Sequence, residues 1–570
     1  MSPHLRRHHS RSAAWLPLLL ALGLIGACAL ESPRLPPAAP SATPAPAVAD
    51  SGARSFTLIS VNDIYRIEGL EDGAEGGPAR IRSLRAELEL EHPDLLLFHA
   101  GDLLYPSLLS RRYDGEQMID VLNRLDGDGE AFDDRMFVTF GNHELDRRDA
   151  KGEALLAERV AESQFRWVSS NITFAPDAAG QPIVTGPTLV DTVLTESHGV
   201  RVGIFGLTLS SQHPPWVVSF ADPIEAAREK TAQLRRGGAE VVIGLTHLPV
   251  EEDLLLLETL RDEGPDLVLG GHEHSVQERQ AGGRWVLKAD ADARSAIVAQ
   301  VTVGADGSVS VEHGVDLLEG DSPAPDAQVL AVADGWVARF DQEFCADRGQ
   351  PPGCLAEVVG HTRTRLVAEE LKIRAYETSL GDWVADRLLA HHRADGAQVA
   401  VINSGGLRLN RDIVAGADIV RRDIEELFAY PSPTVVLEMD GATLIRALEH
   451  SVEDWNDKGW FLQVAGIAFR QDVDRQTVTD VTLLTPDGPR PLDPTEPVRV
   501  ATVAFLANPQ LGDRDGYTMF DPKAVIATGS DLKGVVLDAL QAAGPEGIAP
   551  TVEGRICNSR EGGVCLAVGR

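Results

Sequence analysis

From Phe56 to about Val303 the chain repeats one pattern: an apolar run of strand length that stops in a polar cluster. FTLISV leads into Asn62-Asp63, and DLLLFHA leads into Gly101-Asp102. MFVTF leads into Gly141-Asn142-His143-Glu144, VVIGL into Thr246-His247, and DLVLG into Gly271-His272-Glu273-His274. Between several of these runs lie stretches with helical spacing, such as ARIRSLRAELELEH and PIEAAREKTAQLRRGG. Alternating strands and helices predict a layered α/β domain. In such folds active groups gather at the carboxyl ends of the strands, so five clusters distant in sequence are expected at one edge.

After Val303 the pattern changes. PDAQVLAVADGWVARFDQEFC, residues 325–345, reads as a connecting helix. A second α/β segment follows, with TSLGDWVADRLLAHH, VAVINSGGLR, TVVLEMDGATLIRALEHSV and VRVATVAFLAN. The expected organisation is a domain over 55–320, a linker with the connecting helix over 321–370, a second domain over 371–556 and a tail over 557–570. A length of 570 residues suits two large domains rather than one core.

The start of the chain is different in kind. Arg6, Arg7 and Arg11 precede an apolar run from Ala13 to Ala27 that is interrupted by Pro17. The run is too short for a mature membrane span and reads as a signal peptide over 1–27. Its end, Ile25-Gly26-Ala27-Cys28, resembles the bacterial lipobox, which implies lipidation of Cys28. Residues 28–54 are dominated by Pro, Ala and Ser and read as a tether. The expectation is an exported lipoprotein, held to the cell envelope at the outer membrane or in the periplasm by its lipid alone. The other cysteines form two close pairs, Cys345 with Cys354 and Cys557 with Cys565. In an exported protein these read as two local disulfides, with a four-cysteine zinc knuckle as the alternative.

Charge removes one class of function. There are 86 Asp+Glu against 52 Lys+Arg, for a net charge of −34. A nucleic-acid polymer needs a basic surface, so none is expected as a partner. Nothing in the pattern speaks to oligomeric state.

The strand-end clusters carry the chemistry. Asp, Asn and His together offer carboxylate, amide oxygen and imidazole, a mixed set that suits zinc, manganese or iron(II) better than calcium. Two such metals about 3.5–4 Å apart can clamp a phosphate ester and activate a bridging hydroxide for in-line attack. The order of clusters resembles the calcineurin-like metallophosphoesterase signature. By that resemblance the first domain is a four-layer sandwich. Asp63, Asp102 and His274 would hold one metal, with Asp102 bridging, and Asn142, His247 and His272 the other. His143 would face the substrate and help the leaving oxygen, and Asp146 would orient His143. One position departs: the usual His of D-x-H is Tyr65. Phenolate suits ferric iron, and GDLLY places Tyr105 three residues after Asp102, as in the purple acid phosphatases. A tyrosine ligand from either position, mixed-valence iron, or a site one ligand short are the alternatives.

The second segment resembles the carboxyl-terminal substrate-binding domain of the 5′-nucleotidase and UDP-sugar hydrolase family. Asn403-Ser404-Gly405-Gly406-Leu407-Arg408 carries the resemblance, with Phe428-Ala429-Tyr430-Pro431, Phe505-Leu506-Ala507-Asn508 and Asp515-Gly516-Tyr517. It implies that Tyr430 and Phe505 clamp a base and that Asp515 accepts from ribose hydroxyls. Asn403, Arg408 and Arg374 would complete the substrate site. NPQLGDRDGY is longer than the usual Asn-Gly-Gly-Asp-Gly-Tyr, which changes the loop carrying Asp515. The implied function is nucleotide catabolism, by removal of phosphate from nucleoside 5′-monophosphates with two divalent metal ions. The alternatives are a phosphodiesterase or pyrophosphohydrolase on 2′,3′-cyclic nucleotides or UDP-sugars, and a non-catalytic nucleotide-binding lipoprotein.

Overall fold

In the computed structural model of the protein the described residues are 52–176, 180–182, 184–211, 213–320, 322–455, 458–560 and 564–567. The expected signal peptide, Cys28 and most of the expected tether lie outside them. No helix among the described residues is long and apolar enough to cross a membrane.

Alternation along the strands builds the first half. In Arg54–Val61, Phe56 and Leu58 point to one side while Ile59 and Val61 point to the other, and Leu96 and Phe98 oppose Leu95 and Leu97 in the same way. Both sides are buried, so both sides are apolar, as parallel strands require. A seven-stranded sheet results. Its parallel run is Arg54–Val61, Leu96–His99, Met136–Val138, Arg166–Val168 and Leu189–Val190, and Ser295–Val303 and Val309–Leu317 extend it antiparallel. A six-stranded sheet has Val200–Thr208, Val241–His247, Leu267–Gly270 and Arg284–Lys288 as its parallel core.

The two sheets share one apolar layer, which contains Phe56, Phe98, Phe137, Ile204, Ile243 and Leu269. The outer face of the first sheet is covered by Pro78–Glu89, Glu116–Leu122, Ala150–Glu162 and Ala327–Asp347. Pro223–Arg236 and Val250–Leu260 cover the second. The first half is therefore a helix–sheet–sheet–helix sandwich of four layers, as the family resemblance implies. Pro223–Arg236 shows how local signals set a helix start: Asp222 caps the backbone N–H of Glu225 at 3.0 Å and Pro223 takes the first turn.

The second half has its own core around a five-stranded sheet, in the order Leu462–Ala465, Val399–Asn403, Pro497–Val503, Pro433–Asp440 and Val525–Asp531. Helices Ser379–His391, Gly441–Ser451 and Leu532–Ala543 pack on it. Two features extend this half beyond the 371–556 expected from sequence. Val358–His361 pairs with Asp418–Val420, and Ile556–Asn558 pairs parallel with Ile467–Asp472. Both strands are too short to announce themselves in the sequence; their partners are supplied by the fold. Disulfides join Cys345 to Cys354, at the end of the connecting helix, and Cys557 to Cys565.

Candidate metal centre and substrate cleft

The polar clusters emerge together because parallel strands share a direction. Asp63 follows Arg54–Val61 and Asp102 follows Leu96–His99. Asn142 and His143 follow Met136–Val138, His247 closes Val241–His247, and His272 and His274 follow Leu267–Gly270. The turns that deliver them are strained. Asp63 (φ 53°), Asp102 (φ 58°), His272 (φ 90°) and His274 (φ 58°) all occupy the left-handed region. Backbone of this kind costs about 1–3 kcal/mol per residue and concentrates at functional sites. Two motif glycines are explained by crowding. A Cβ on Gly141 would collide with the Asp102 carboxylate. One on Gly271 would lie 2.8 Å from Asp63 Oδ2 and 2.6 Å from the Ala100 carbonyl.

Asp63, Asp102 and His247 each offer a ligand atom within 4.8 Å of the others. His247 Nε2 is 3.2 Å from Asp102 Oδ2 and 4.0 Å from Asp63 Oδ1, and His274 Nε2 is 3.2 Å from Asp63 Oδ1. Tyr65 joins this group. Its hydroxyl donates to Asp63 Oδ1 at 3.1 Å and Asp102 Oδ2 at 3.3 Å, and lies 2.9 Å from His274 Nε2. Tyr105 instead lies beneath the Arg147 guanidinium, 5.8 Å from its ring centroid. Of the two tyrosines, the cluster contains Tyr65.

Charge in the cluster is strongly coupled. Burial works to raise the Asp63 carboxyl, but His274, His247 and the His272 backbone N–H hold it well below the ordinary range. Against the same penalty, His247 and His143 lower Asp102. Burial opposes a charge on His247, yet Asp102 and Asp63 hold the imidazole up to about 9. His272 is the opposite case: burial, His247 and Lys288 keep it neutral, with a lone pair free to bind. Asn142 Oδ1 is buried with no hydrogen-bond partner among the described residues. Two carboxylates, an orphan amide oxygen and three imidazoles are a donor set that fits divalent metals.

His143 stands beside this cluster. Its backbone N–H donates to Asp102 Oδ1 at 2.7 Å, and its Nδ1 is 2.9 Å from Asp146 Oδ2. Nε2 lies 3.9 Å from Asp102 Oδ2. Burial opposes a proton on this ring, but Asp146 and Asp102 raise it above the usual histidine value.

The second half faces the same edge. Arg374 and Arg408 converge on Glu370, with Arg408 Nη1 3.8 Å from its Oε1. Burial lifts the Asp515 carboxyl to about 6 against the pull of Arg408 and Arg374. Tyr430 is 37% exposed, and desolvation of its hydroxyl, then Asp146 and Asp102, raise it. Asn403 ends its strand at 5% exposure, and Phe505 packs half-buried on the second core. A cleft opens between the halves, lined by Tyr65, Pro106, Leu108, Arg408, Asn410 and Ala429.

Three residues that matter here carry no role in the sequence reading. Glu144 accepts from the backbone N–H groups of Asp102, Leu103, Leu104 and Gly141 at 2.6–2.9 Å, and so ties the second and third clusters together. Its place in Gly-Asn-His-Glu was the available signal. Asp292 accepts from the backbone of Tyr65 and Arg66 at 2.9 Å and 3.2 Å. Glu370 pairs with His274 at 2.9 Å from the other half of the molecule. Neither has a sequence signature.

Residues 56–276 match the calcineurin-like phosphoesterase family, and residues 358–522 match the 5′-nucleotidase, C-terminal domain family. The 5′-nucleotidase of Homo sapiens is 25% identical over 555 residues, covering 89% of this chain and 91% of its own. The trifunctional nucleotide phosphoesterase protein YfkN of Bacillus subtilis is 24% identical across 89% of this chain, which spans 35% of that protein's length. The crystal structure of a 5′-nucleotidase precursor from Thermus thermophilus has a TM-score of 0.72 at 25% identity, covering 89% of this chain and 100% of that one.

Proposed function

We propose that this chain, which belongs to the family joining a calcineurin-like phosphoesterase domain to a 5′-nucleotidase C-terminal domain, removes phosphate from nucleoside 5′-monophosphates. Membership makes it a metal-dependent phosphoric ester hydrolase; the substrate, the export route and the residue roles are our reading. One observation carries it. The His143–Asp146 pair stands beside the Asp63, Asp102 and His247 cluster, and the second half reaches the same site through Glu370, which pairs with His274 and draws in Arg374 and Arg408.

Bound divalent metals supply Lewis-acid polarisation of the phosphoryl group and an activated water. Asp63, Asp102, Asn142, His247, His272 and His274 are the residues that would hold them, and Tyr65 adds an oxygen to the Asp63 and His274 side. His143 Nε2 gives its proton to the leaving 5′-oxygen, while Asp146 accepts from Nδ1 and fixes the ring and its tautomer. Arg374 and Arg408 present fixed guanidinium forks to the anionic substrate. Tyr430 and Phe505 stack on the base, Asp515 accepts from the ribose, and Asn403 completes the pocket wall. The chain reaches its substrates outside the cytoplasm, anchored through lipidated Cys28.

Purified protein assayed with manganese against AMP, UDP-glucose and 2′,3′-cyclic AMP tests the reading. The highest kcat/KM is expected on AMP. A preference for either of the others moves the protein to diester or pyrophosphate cleavage. Tight nucleotide binding with no turnover of any substrate makes it a receptor.

A further inference from the structure

Two of the imidazoles in the metal cluster are oriented in different ways. His247 has its Nδ1 2.7 Å from the carbonyl oxygen of Ala100, a backbone atom of the same sandwich. His274 has no such local partner. Its Nδ1 meets Glu370 Oε2 at 2.9 Å, and Glu370 belongs to the opening helix of the second half, Glu370–Ile373. Both side chains are 6% exposed, so water does not compete for this bond.

Glu370 is itself seated by its surroundings. Arg374 pairs with Oε1, Arg408 Nη1 lies 3.8 Å from the same oxygen, and Asn410 Nδ2 donates to Oε2 at 3.3 Å. The segment carrying Arg408 and Asn410 is fastened across the interface. Arg66 donates to the carbonyls of Arg408 and Leu409 at 3.1 Å and 2.8 Å, and Arg294 donates to that of Asn410 at 2.7 Å.

We infer that Glu370 is a positioning residue for His274, lent by the substrate-binding half to the metal-holding half. A ligating imidazole needs Nε2 unprotonated toward the metal and Nδ1–H toward an acceptor, and a carboxylate at Nδ1 both selects that tautomer and strengthens the ligand. His274 sits in left-handed backbone, which does not lock the ring by itself. The same carboxylate is gripped by the two arginines assigned to substrate. Movement of the second half away from the first therefore withdraws the acceptor of His274, and the arginines with it. Metal retention at the Asp63 and His274 position and seating of the second half are thus one linked equilibrium. This rests on the metal-ligand assignment proposed above.

The test measures manganese retention, not turnover. Wild type, Glu370→Ala and Glu370→Gln are loaded with manganese, dialysed against graded chelator and analysed for metal per chain. Thermal unfolding checks the fold of each. Loss of the orienting carboxylate is expected to weaken one of two bound ions by about ten- to a hundredfold in Glu370→Ala. Glu370→Gln keeps an acceptor oxygen and nearly the same shape, so it should recover part of that loss. If Glu370→Ala does not fold, the near-isosteric Gln variant decides alone by a measurable fall. Retention equal to wild type in the folded variants, or equal weakening of both ions, overturns the inference. Wild type that holds no manganese at all instead refutes the metallophosphoesterase reading on which it stands.

Discussion

The hydroxyl of Tyr65 stands 2.9 Å from Nε2 of His274, inside the group of atoms that the sequence assigns to metal. It is also 3.1 Å from Asp63 Oδ1 and 3.3 Å from Asp102 Oδ2. These hydrogen bonds hold the phenol oxygen among the residues that would bind a metal. Tyr65→Phe removes that oxygen and should lower metal content at the Asp63 and His274 position while the other ion remains. Tyr65→His, which introduces an imidazole, should restore it for zinc. Elemental analysis of the three proteins checks this; unchanged metal in Tyr65→Phe would show that the tyrosine merely caps the cleft.

Asp102 and His143 should separate by phenotype. Asp102 contacts His247 and the His143 backbone, so Asp102→Ala should cost both metal and activity. His143→Ala should keep the metals and lose about 10²–10⁴-fold in kcat, the usual scale for a positioned acid. Metal content and kcat measured side by side on both variants distinguish the roles. Equal metal loss in the two would refute them.

The second half should set selectivity. Tyr430→Ala or Phe505→Ala removes a stacking face worth about 1–3 kcal/mol per base. That corresponds to about tenfold to a hundredfold in affinity. An aryl phosphate has no base to lose, so p-nitrophenyl phosphate should suffer less than AMP. Equal losses on the two substrates, or none, would make the aromatic pair ordinary packing.

Asp382 predicts a pH-dependent stability unrelated to the site. It is 2% exposed, and burial together with Glu377 raises its carboxyl to about 9 despite Arg555. Unfolded, the same group titrates near an ordinary Asp value of about 3.9. The folded state therefore holds a proton that the unfolded state releases, and this contribution falls as pH rises from about 4 through about 9. Asp382→Asn cannot ionise. Its stability relative to wild type should rise across that window in denaturant melts, and a difference independent of pH would be contrary to the assignment.

The proposed lipidation of Cys28 is testable on the whole chain. Cys28→Ser should leave unlipidated protein, followed by metabolic labelling with a fatty acid. Label persisting on Cys28→Ser would place the modification elsewhere.

Much of this molecule is decided locally. The apolar runs FTLISV and DLLLFHA, and the polar residues that end each run, already imply buried strands of a layered α/β domain with one reactive edge. Gly101-Asp102 and Gly141-Asn142 are readable for the same reason: a tight turn at a strand end needs particular residues whatever surrounds it. The packing of two sheets into one core is what brings Asp63 within 4.0 Å of His247, although 184 positions separate their numbers. Only the tertiary structure chooses Tyr65 over Tyr105, since both lie near ligand positions in sequence but only one hydroxyl reaches the carboxylates. Glu370 is the clearest such case. Nothing in AEELKIRA marks it, because its meaning depends on His274, which arrives from the other half of the chain. Strand ends and turns follow from neighbours along the chain, whereas a carboxylate shared between two halves follows from how their cores come together.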